Sequence, residues 1–299
     1  MLVINSIRRG LIVGLVATLT QPIYGQSDHK NDSINKSRLN TFLIGTGIGY
    51  TATLLALDNV WYGDHPKDDF HFFDDSHEWK QMDKIGHVFS AYQLSRTASK
   101  GFEWSGLNNR KSAIWGSIMG FGLMLPIELM DGYSSQYGAS ATDIVADAIG
   151  AGVFLSQVLI WDKVKIHVKY SYSPSGIAQY RPELLGKNVG EQWLKDYNGQ
   201  TYWLSFDLHE LVNLKQKWIN VGVGYGVNNM VNANGAMTTK FPFEAYRQYY
   251  LTLDLDLTYI RSRSKFVNSM LYFVNMIHIP APALEFNKVD GLKFHALHF

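Results

Sequence analysis

The sequence predicts an α+β protein, in which an N-terminal bundle of about four helices precedes an antiparallel β-domain. Two observations support this fold class. The first half contains long uncharged runs rich in Gly and Ala, such as "SAIWGSIMGFGLMLPI" at residues 112–127. The second half alternates apolar and polar residues, as in "YYLTLDLDLTYI" at residues 249–260. Helical and β-sheet periods therefore occupy different parts of the chain.

The N-terminal residues predict export. Arg8 and Arg9 precede an apolar stretch and small residues follow near Gly25, which is the pattern of a secretory signal peptide. An uncut anchor is the alternative, but an apolar core of about ten residues is too short to span a bilayer. We divide the chain into a signal peptide (1–25), a linker (26–40), a helical domain (41–163) and a β-rich domain (164–299). The predicted location is the outer membrane or periplasm of a Gram-negative cell.

Composition narrows the possible partners. Lys plus Arg (27) nearly equals Asp plus Glu (26), and no basic block stands out, so no nucleic-acid partner is expected. Aromatic residues make up 14% of the chain, which is typical of a β-rich or membrane-interface protein. The chain has no cysteine, which excludes disulfides, thiolate metal sites and lipidation of a cysteine. Outer-membrane lipid is the expected partner, with other envelope proteins as further candidates.

Two uncharged segments, Phe42 to Leu57 and Ser112 to Ile127, are each sixteen residues long. A spanning helix usually needs about twenty apolar residues, so we predict buried helices of a bundle. Small residues recur four apart in these and the following helix, a spacing that lets helix backbones approach closely. The pairs are Gly45 with Gly49, Gly116 with Gly120, and Ala146 with Gly150.

A loop between the first two helices, residues 61–82, is rich in acids and histidines. These residues offer ligands for a divalent cation, although their spacing matches no known calcium loop. The alternative is a solvated connection held by its aromatic residues. The candidates are Asp64, Asp68, Asp69, Asp74, Asp75, His65, His71 and His77.

Three polar pairs interrupt the apolar helices at spacings that place both members on one helix face. Because isolated burial of a polar group costs several kcal/mol, we predict that the pairs meet across three helices. The pairs are Asp83 with His87, Glu128 with Asp131, and Asp143 with Asp147. The available cations are Lys84 and Arg96, with His87 as a third when it is protonated.

The acids of this predicted cluster outnumber its cations. Either a divalent metal completes a site with His87 as its nitrogen ligand, or the cluster is a hydrogen-bond network that fixes helix register. As an active site it would use His87, Asp83, Glu128 and Asp143 for catalysis. No cofactor is expected from the sequence itself, and a divalent metal remains an open alternative.

The same residues carry a resemblance. The series Asp83-Lys84-x-x-His87, Tyr92, Ser95-Arg96, Glu128 with Asp131-Gly132, and Asp143 with Asp147 and Gly150 resembles the YfiM-like family of predicted periplasmic lipoproteins. More distantly it is similar to the VanZ-like membrane proteins. The resemblance covers roughly residues 40–160 and implies an envelope location and a helical architecture, without an assigned activity. The chain departs from the family by lacking the lipoprotein cysteine and by adding a long C-terminal half.

The C-terminal half predicts several strands. Tyr249, Leu251 and Leu253 alternate with Thr252 and Asp254, and tyrosines flank the apolar face, as in a membrane-spanning strand. Other predicted strands are Lys165–Ser173, Thr201–Leu208, Trp218–Val227, Val267–Ile277 and Leu292–Phe299. Against a complete barrel, prolines at 280 and 282 interrupt the pattern, and residues 181–200 predict an irregular or helical connection. The β-domain is therefore expected to be partly or wholly embedded in the outer membrane.

Three functions fit these observations. The first is a structural or accessory component of the envelope. The second is an envelope hydrolase or transferase that acts on lipid or cell-wall intermediates through the His/carboxylate cluster. The third is a lipid or small-ligand binding module. No motif of a common hydrolase or nucleotide-binding enzyme is present, so the sequence leaves enzymatic activity undecided.

Overall fold

A computed structural model describes residues 33–63, 66–238 and 240–299. The predicted signal peptide and the first part of the predicted linker lie outside the described residues. The chain has the predicted α+β fold: a helical N-terminal region precedes a six-stranded antiparallel sheet.

Four long helices form the helical region, and the two predicted uncharged segments, residues 42–57 and 112–127, lie within the first and third of them. They are α1 (Lys36–Leu57), α2 (Met82–Ser105), α3 (Asn109–Gly132) and α4 (Ala141–Trp161). The side chains of Asn35, Asn108 and Ser140 cap α1, α3 and α4 by accepting a backbone N–H of the first turn. Helix α2 lies in the centre, where it contacts the other three helices and the first two strands.

Small residues allow the close packing around α2. A Cβ atom built on Gly116 of α3 would lie 2.6 Å from the backbone nitrogen of Ser99 and 2.7 Å from the carbonyl oxygen of Ser95. Gly120 and Gly150 likewise face α2 backbone atoms too closely for any side chain. The predicted role of this spacing is confirmed at these three positions, where a larger residue would force the helices apart.

The six strands pair in sequence order, each antiparallel to the next. They are β1 (Ile166–Tyr172), β2 (Gln200–Asp207), β3 (Ile219–Asn228), β4 (Tyr246–Leu255), β5 (Ala281–Asn287) and β6 (Gly291–His298). Short helices occupy the connections: α5 (Pro182–Leu185), α6 (Val189–Lys195), α7 (Leu208–Val212) and α8 (Lys265–Val274). An isolated bridge joins Tyr170 of β1 to Ile277, just before β5, so the sheet curls back towards its first strand.

The inner face of the sheet is polar and buried. Lys169 is fully buried there, and its ammonium group donates to Asp254 Oδ2 at 2.7 Å, to the carbonyl of Leu255 at 2.8 Å and to Asn275 Oδ1 at 3.2 Å. Such partners are what makes a buried charge tolerable. The alternation of β4 thus turns its Asp and Thr residues inward.

The outer face of the sheet is apolar. Helix α2 covers it at β1 and β2, where Phe89 packs against Tyr170 and Tyr202. Beyond this cover, one row of directly paired residues crosses five strands, with 41 to 65% of each residue exposed. The row consists of Leu204, Val223, Leu251, Leu284 and Phe294. A polar inner face with an apolar outer face inverts the usual arrangement of a water-soluble sheet.

The prediction that the uncharged segments are buried in a bundle is wrong for α1, which has no buried residue. Three segments are long and apolar enough to cross a membrane: Lys36–Tyr62, Asn109–Gly132 and Ala141–Trp161. At most 39% of their most apolar windows is buried. Only α2 is covered on most sides, so the other helices keep their apolar outer faces exposed.

One strand prediction in the β-domain is also wrong. The segment Val267–Ile277 is mostly helical, because Ser264 caps α8 and the apolar residues follow the helical period as well as the strand period. The prolines at 280 and 282 interrupt the alternation without ending the sheet. Pro282 lies in β5 at a β-bulge between Ala281 and Ala283, where the missing N–H costs no ladder hydrogen bond.

The close packing of α3 on α2 can be tested with a matched pair of glycines. Gly116→Ala should lower the free energy of unfolding by about 1–3 kcal/mol, because its Cβ would overlap the α2 backbone. Gly122→Ala, in the same helix with no atom within 4 Å of its added Cβ, should be neutral or stabilising by up to about 1 kcal/mol. Thermal unfolding of both variants in detergent checks this, and equal effects would contradict the packing.

Candidate functional site

The candidate site is a cluster of ionisable side chains where the ends of four elements meet. The first turns of α2 and α4, the last turns of α3 and the loop before α2 supply its members. They are Asp75, Asp83, Lys84, His87, Glu128, Asp131, Asp143 and Asp147, and we call them the acidic cluster. Asp83 and Asp143 each lie in the first turn of a helix, where the helix dipole favours a negative charge.

Lys84 joins three of the carboxylates. Its ammonium nitrogen lies 2.5 Å from Asp75 Oδ2, 2.8 Å from Asp143 Oδ1 and 3.0 Å from Asp83 Oδ2. Burial alone would lower the pKa of Lys84, but Asp83, Asp143 and Asp75 raise it above its ordinary value. Lys84 is therefore a fixed positive charge that holds the loop, α2 and α4 together.

His87 is oriented by Asp147. Its Nδ1 atom lies 3.0 Å from Asp147 Oδ1, and the Asp147 side chain is fully buried. On the other side of the ring, Nε2 lies 3.8 Å from Glu128 Oε1 and 4.0 Å from Asp143 Oδ2, too far for a hydrogen bond. Burial opposes protonation, but the hydrogen bond that His87 donates to Asp147 and the nearby Asp83 and Asp143 raise the pKa of His87 to about 10. With only these neighbours, the ring carries a proton at neutral pH.

Tyrosines complete the cluster from outside the predicted set. The hydroxyl of Tyr197, in the β-domain, donates to Asp83 Oδ1 at 2.8 Å, and that of Tyr62 donates to Asp131 Oδ1 at 2.6 Å. Burial opposes ionisation of Asp83, yet His87 and Lys84 hold its pKa below its ordinary value. Burial and the adjacent Asp83 raise the pKa of Tyr197 well above its ordinary value, so this tyrosine remains a neutral donor.

Ser140, the cap of α4, links two acids of the cluster. Its backbone N–H donates to Glu128 Oε2 at 2.9 Å, and its hydroxyl donates to Asp75 Oδ1 at 2.6 Å. Glu128 Oε1, in contrast, is buried without a hydrogen-bond partner. One oxygen of Glu128 is thus held by the backbone, while the other faces His87.

The turn before α2 fixes this geometry at the cost of backbone strain. Trp79, Lys80 and Gln81 all have positive φ angles, which side-chain-bearing residues seldom adopt. The β-domain holds the turn: Arg247 donates to Gln81 Oε1 at 2.7 Å, and Tyr225 donates to the carbonyl of Lys80. The start of α2, and with it Asp83 and His87, is therefore positioned by the sheet as well as by the helices.

One predicted cation lies elsewhere. Arg96 faces away from the acidic cluster, its guanidinium 3.7 Å from the ring centroid of Tyr272 and bonded to the Tyr272 carbonyl. The reason is helical geometry, since Arg96 lies more than two turns beyond His87 on α2. Predicting Arg96 as a partner of these carboxylates is wrong, and Lys84 and His87 are the cations that contact them.

The acid-rich loop supplies a cluster member instead of a metal site of its own. Among its described residues, no three histidine or carboxylate groups come together, and Asp75 turns inward to Lys84. Asp75 was predicted only among the loop candidates. Tyr62, Ser140 and Tyr197 were not predicted, because a tyrosine or serine distant in sequence gives no spacing signal for a contact with an acid.

The acidic cluster opens into a pocket of about 470 Å³ between the helices and the sheet. Asp83, His87, Asp131 and Asp143 line it on one side. Apolar and aromatic residues form the remaining walls, including Leu57, Trp61, Phe73, Trp79, Phe89, Ile127, Met130, Tyr170, Trp193, Tyr197 and Tyr202. The cluster is therefore accessible to a ligand that has both an apolar and a polar part.

Residues 69–158 match the family model described as predicted periplasmic lipoprotein (DUF2279). The match covers less than a third of the chain, and all eight members of the acidic cluster lie within it. It confirms the predicted likeness to periplasmic lipoproteins and is consistent with an exported envelope protein. The narrower relation to the YfiM-like and VanZ-like families stays a prediction. No curated protein and no solved structure matches the chain.

Removing the central cation tests the electrostatics of the cluster. Lys84→Ala removes the ammonium group that three carboxylates share, so the free energy of unfolding should fall by about 3 kcal/mol or more. Lys100→Ala on the same helix removes a peripheral pair with Glu103 and should cost about 0–1 kcal/mol. Chemical denaturation of both variants in detergent measures the difference, and similar losses would show that Lys84 has no special role.

Proposed function

We propose that this protein is an exported cell-envelope protein seated in a lipid membrane, the outer membrane of a double-membrane cell. Its pocket holds the polar head of an amphiphilic molecule, on which the acidic cluster acts as a hydrolase or transferase. One observation carries the proposal: the ionisable residues lie at a common end of three exposed apolar helices and open into an aromatic pocket.

The exposed surfaces support the membrane location. The outer faces of α3 and α4 carry Ile118, Leu129, Ile149 and Ile160, each more than half exposed. The apolar outer face of the sheet adds the exposed row through Leu251 and its cross-strand neighbours. Water-soluble proteins rarely expose apolar surface on this scale, whereas hydrocarbon is a suitable environment for it.

The position of the pocket supports a headgroup ligand. The end of α1, the start of α2, the end of α3 and the start of α4 all line it, because successive helices run in opposite directions. A cluster at the ends of apolar helices lies at the depth of lipid headgroups in a bilayer. Aromatic residues also gather there, as at membrane interfaces: Phe72 and Phe73 of the loop are exposed, and Phe70 packs against Tyr133.

The chemistry of the cluster supports bond cleavage or group transfer. A histidine oriented by a buried carboxylate, beside further carboxylates and open to a pocket, is arranged to move protons at a reacting bond. The alternative of a structural component is supported by a different contact, the bond from Tyr197 to Asp83, which ties the β-domain to the helices. In an enzyme, His87 transfers a proton at the reacting bond. In a structural component, it only holds neighbouring side chains in place.

The membrane location predicts different effects at two exposed apolar residues. Leu251→Lys, in the middle of the outer row, should lower stability in a bilayer by about 2–4 kcal/mol, because a charge would enter hydrocarbon. Met237→Lys, at an exposed loop position outside the strands, should change it by less than about 1 kcal/mol. Unfolding of protein reconstituted in phospholipid vesicles gives both values. Equal tolerance of the two lysines would argue against a lipid-facing sheet.

The proposed activity is tested on lipid substrates. Vesicles of total bacterial polar lipid should release headgroups or phosphate with the wild-type protein, and His87→Ala should slow the release by about 10²–10⁴-fold. His77→Ala, an exposed histidine outside the cluster, serves as the control and should keep the full rate. If no headgroup is released while His87→Ala unfolds at a lower temperature, the cluster is structural.

A further inference from the structure

The Nε2 atom of His87 faces carboxylate oxygens that it does not bond. Glu128 Oε1 lies 3.8 Å away and Asp143 Oδ2 lies 4.0 Å away. Glu128 is 97% buried, and this oxygen has no hydrogen-bond partner, which is costly for a carboxylate. A cation bound at His87 Nε2 would lie close to this Glu128 oxygen, and its positive charge would offset the cost.

The two distances from His87 Nε2 to these carboxylate oxygens match the separation between two ligand atoms of a single cation. Zn²⁺ binds nitrogen and oxygen at about 2.0–2.2 Å, so two ligands of one ion lie about 3–4 Å apart. One ligand atom each of Asp83, His87 and Asp143 lie within 4.8 Å of one another. Asp83 and His87 approach from α2 and Asp143 from α4, and all three line the pocket.

The opposite side of the imidazole ring supports the same conclusion. Histidines that bind metals usually hold a carboxylate or carbonyl on the other ring nitrogen, which fixes the tautomer and the ring orientation. Asp147 Oδ1 has this position on Nδ1 at 3.0 Å. The bond leaves Nε2 as the atom that points to Asp143 and Glu128.

We infer that His87 Nε2, Asp83 and Asp143 bind one divalent first-row cation at the edge of the pocket, with Glu128 beside it and Asp147 orienting the histidine. A histidine with carboxylates suits Zn²⁺ or Mn²⁺, and three protein ligands leave positions open on the pocket side. This cation site rests on the proposed function, in which the pocket holds the head of an amphiphile. It adds that this head is anionic.

The charge of the bound cation is the reason to expect an anionic head on the amphiphile. The acidic cluster contains six carboxylates and two basic groups, Lys84 and His87. Without a further cation, the excess of carboxylates would make this surface repel a phosphate or carboxylate head. A bound divalent ion supplies the local positive charge through which such a head can be held, and it acts as a Lewis acid towards it.

Metal binding can be measured without any substrate. Full-length protein in detergent is stripped with chelator, dialysed, and titrated with Co²⁺ as a spectroscopic probe and with Mn²⁺. We expect one equivalent per chain by elemental analysis, with a visible Co²⁺ spectrum that indicates nitrogen and oxygen ligands. His87→Ala and Asp143→Asn should each weaken binding by at least about 100-fold, and Asp147→Asn by about 10–100-fold. His77→Ala should bind as the wild type does.

Circular dichroism and melting separate loss of binding from loss of fold, and Asp147→Asn keeps the test valid if the other variants unfold. The inference is overturned if the wild-type protein takes up less than one specific equivalent, or if His87→Ala and Asp147→Asn both bind as tightly as His77→Ala. Flotation of the stripped protein with vesicles tests the membrane location separately. Metal-free protein that floats would reject the cation and leave the proposed location intact.

Discussion

The charge imbalance around the start of α2 is the constraint on which the rest of the structure depends. Five of the six carboxylates, from three helices and a loop, lie within 4 Å of Lys84 or His87. Buried acids at this density are unfavourable unless each finds a donor, a proton or a cation. The strained turn before α2, the serine cap of α4 and the tyrosine from the β-domain all supply or position such partners. Helix register, the contact between the two halves and the chemistry of the site therefore have a common origin.

The second constraint is the distribution of polarity over the whole chain. The sheet keeps Lys169 and Asp254 inside and turns leucines outward, and the helices expose isoleucines while glycines pack against α2. Both halves thus present apolar surface outward, with Lys169 and Asp254 inside the sheet and the acidic cluster at one end of the helices. The acidic cluster combines with this arrangement to give a polar site next to an apolar surface, which is the geometry that an amphiphilic ligand requires.

Sequence periodicity predicted the fold class because the two halves have different hydrophobic periods, and it located five of the six strands. It failed where a pattern fits two structures. Residues 265–274 satisfy both periods, and the Ser264 cap decides for helix. Strand β5 was not predicted, because Pro282 interrupts the alternation there and a bulge accommodates it. Exposure of α1 could not be predicted from length alone, because apolar residues are equally common in buried and lipid-facing helices.

The acidic cluster was partly predictable, because helical periodicity shows which residues share a helix face. Spacing of three or four residues identifies acids on one helix face, and it correctly brought His87 together with Glu128, Asp143 and Asp147. It cannot say which end of a helix a side chain faces, so Arg96 was included. It also cannot detect contacts across domains, which is why Tyr197 was missed. The roles of these residues stay predictions.

The central claim is that the acidic cluster lies at headgroup depth in a protein whose apolar faces contact lipid. Because the chain has no cysteine, single spin labels can be attached at Ile118 on α3, Leu251 on β4 and Gln136 at the pocket. In bilayers, the labels at Ile118 and Leu251 should collide with oxygen and be shielded from a water-soluble nickel chelate. The label at Gln136 should be accessible to the chelate. Equal access of the chelate to all three labels would contradict the account.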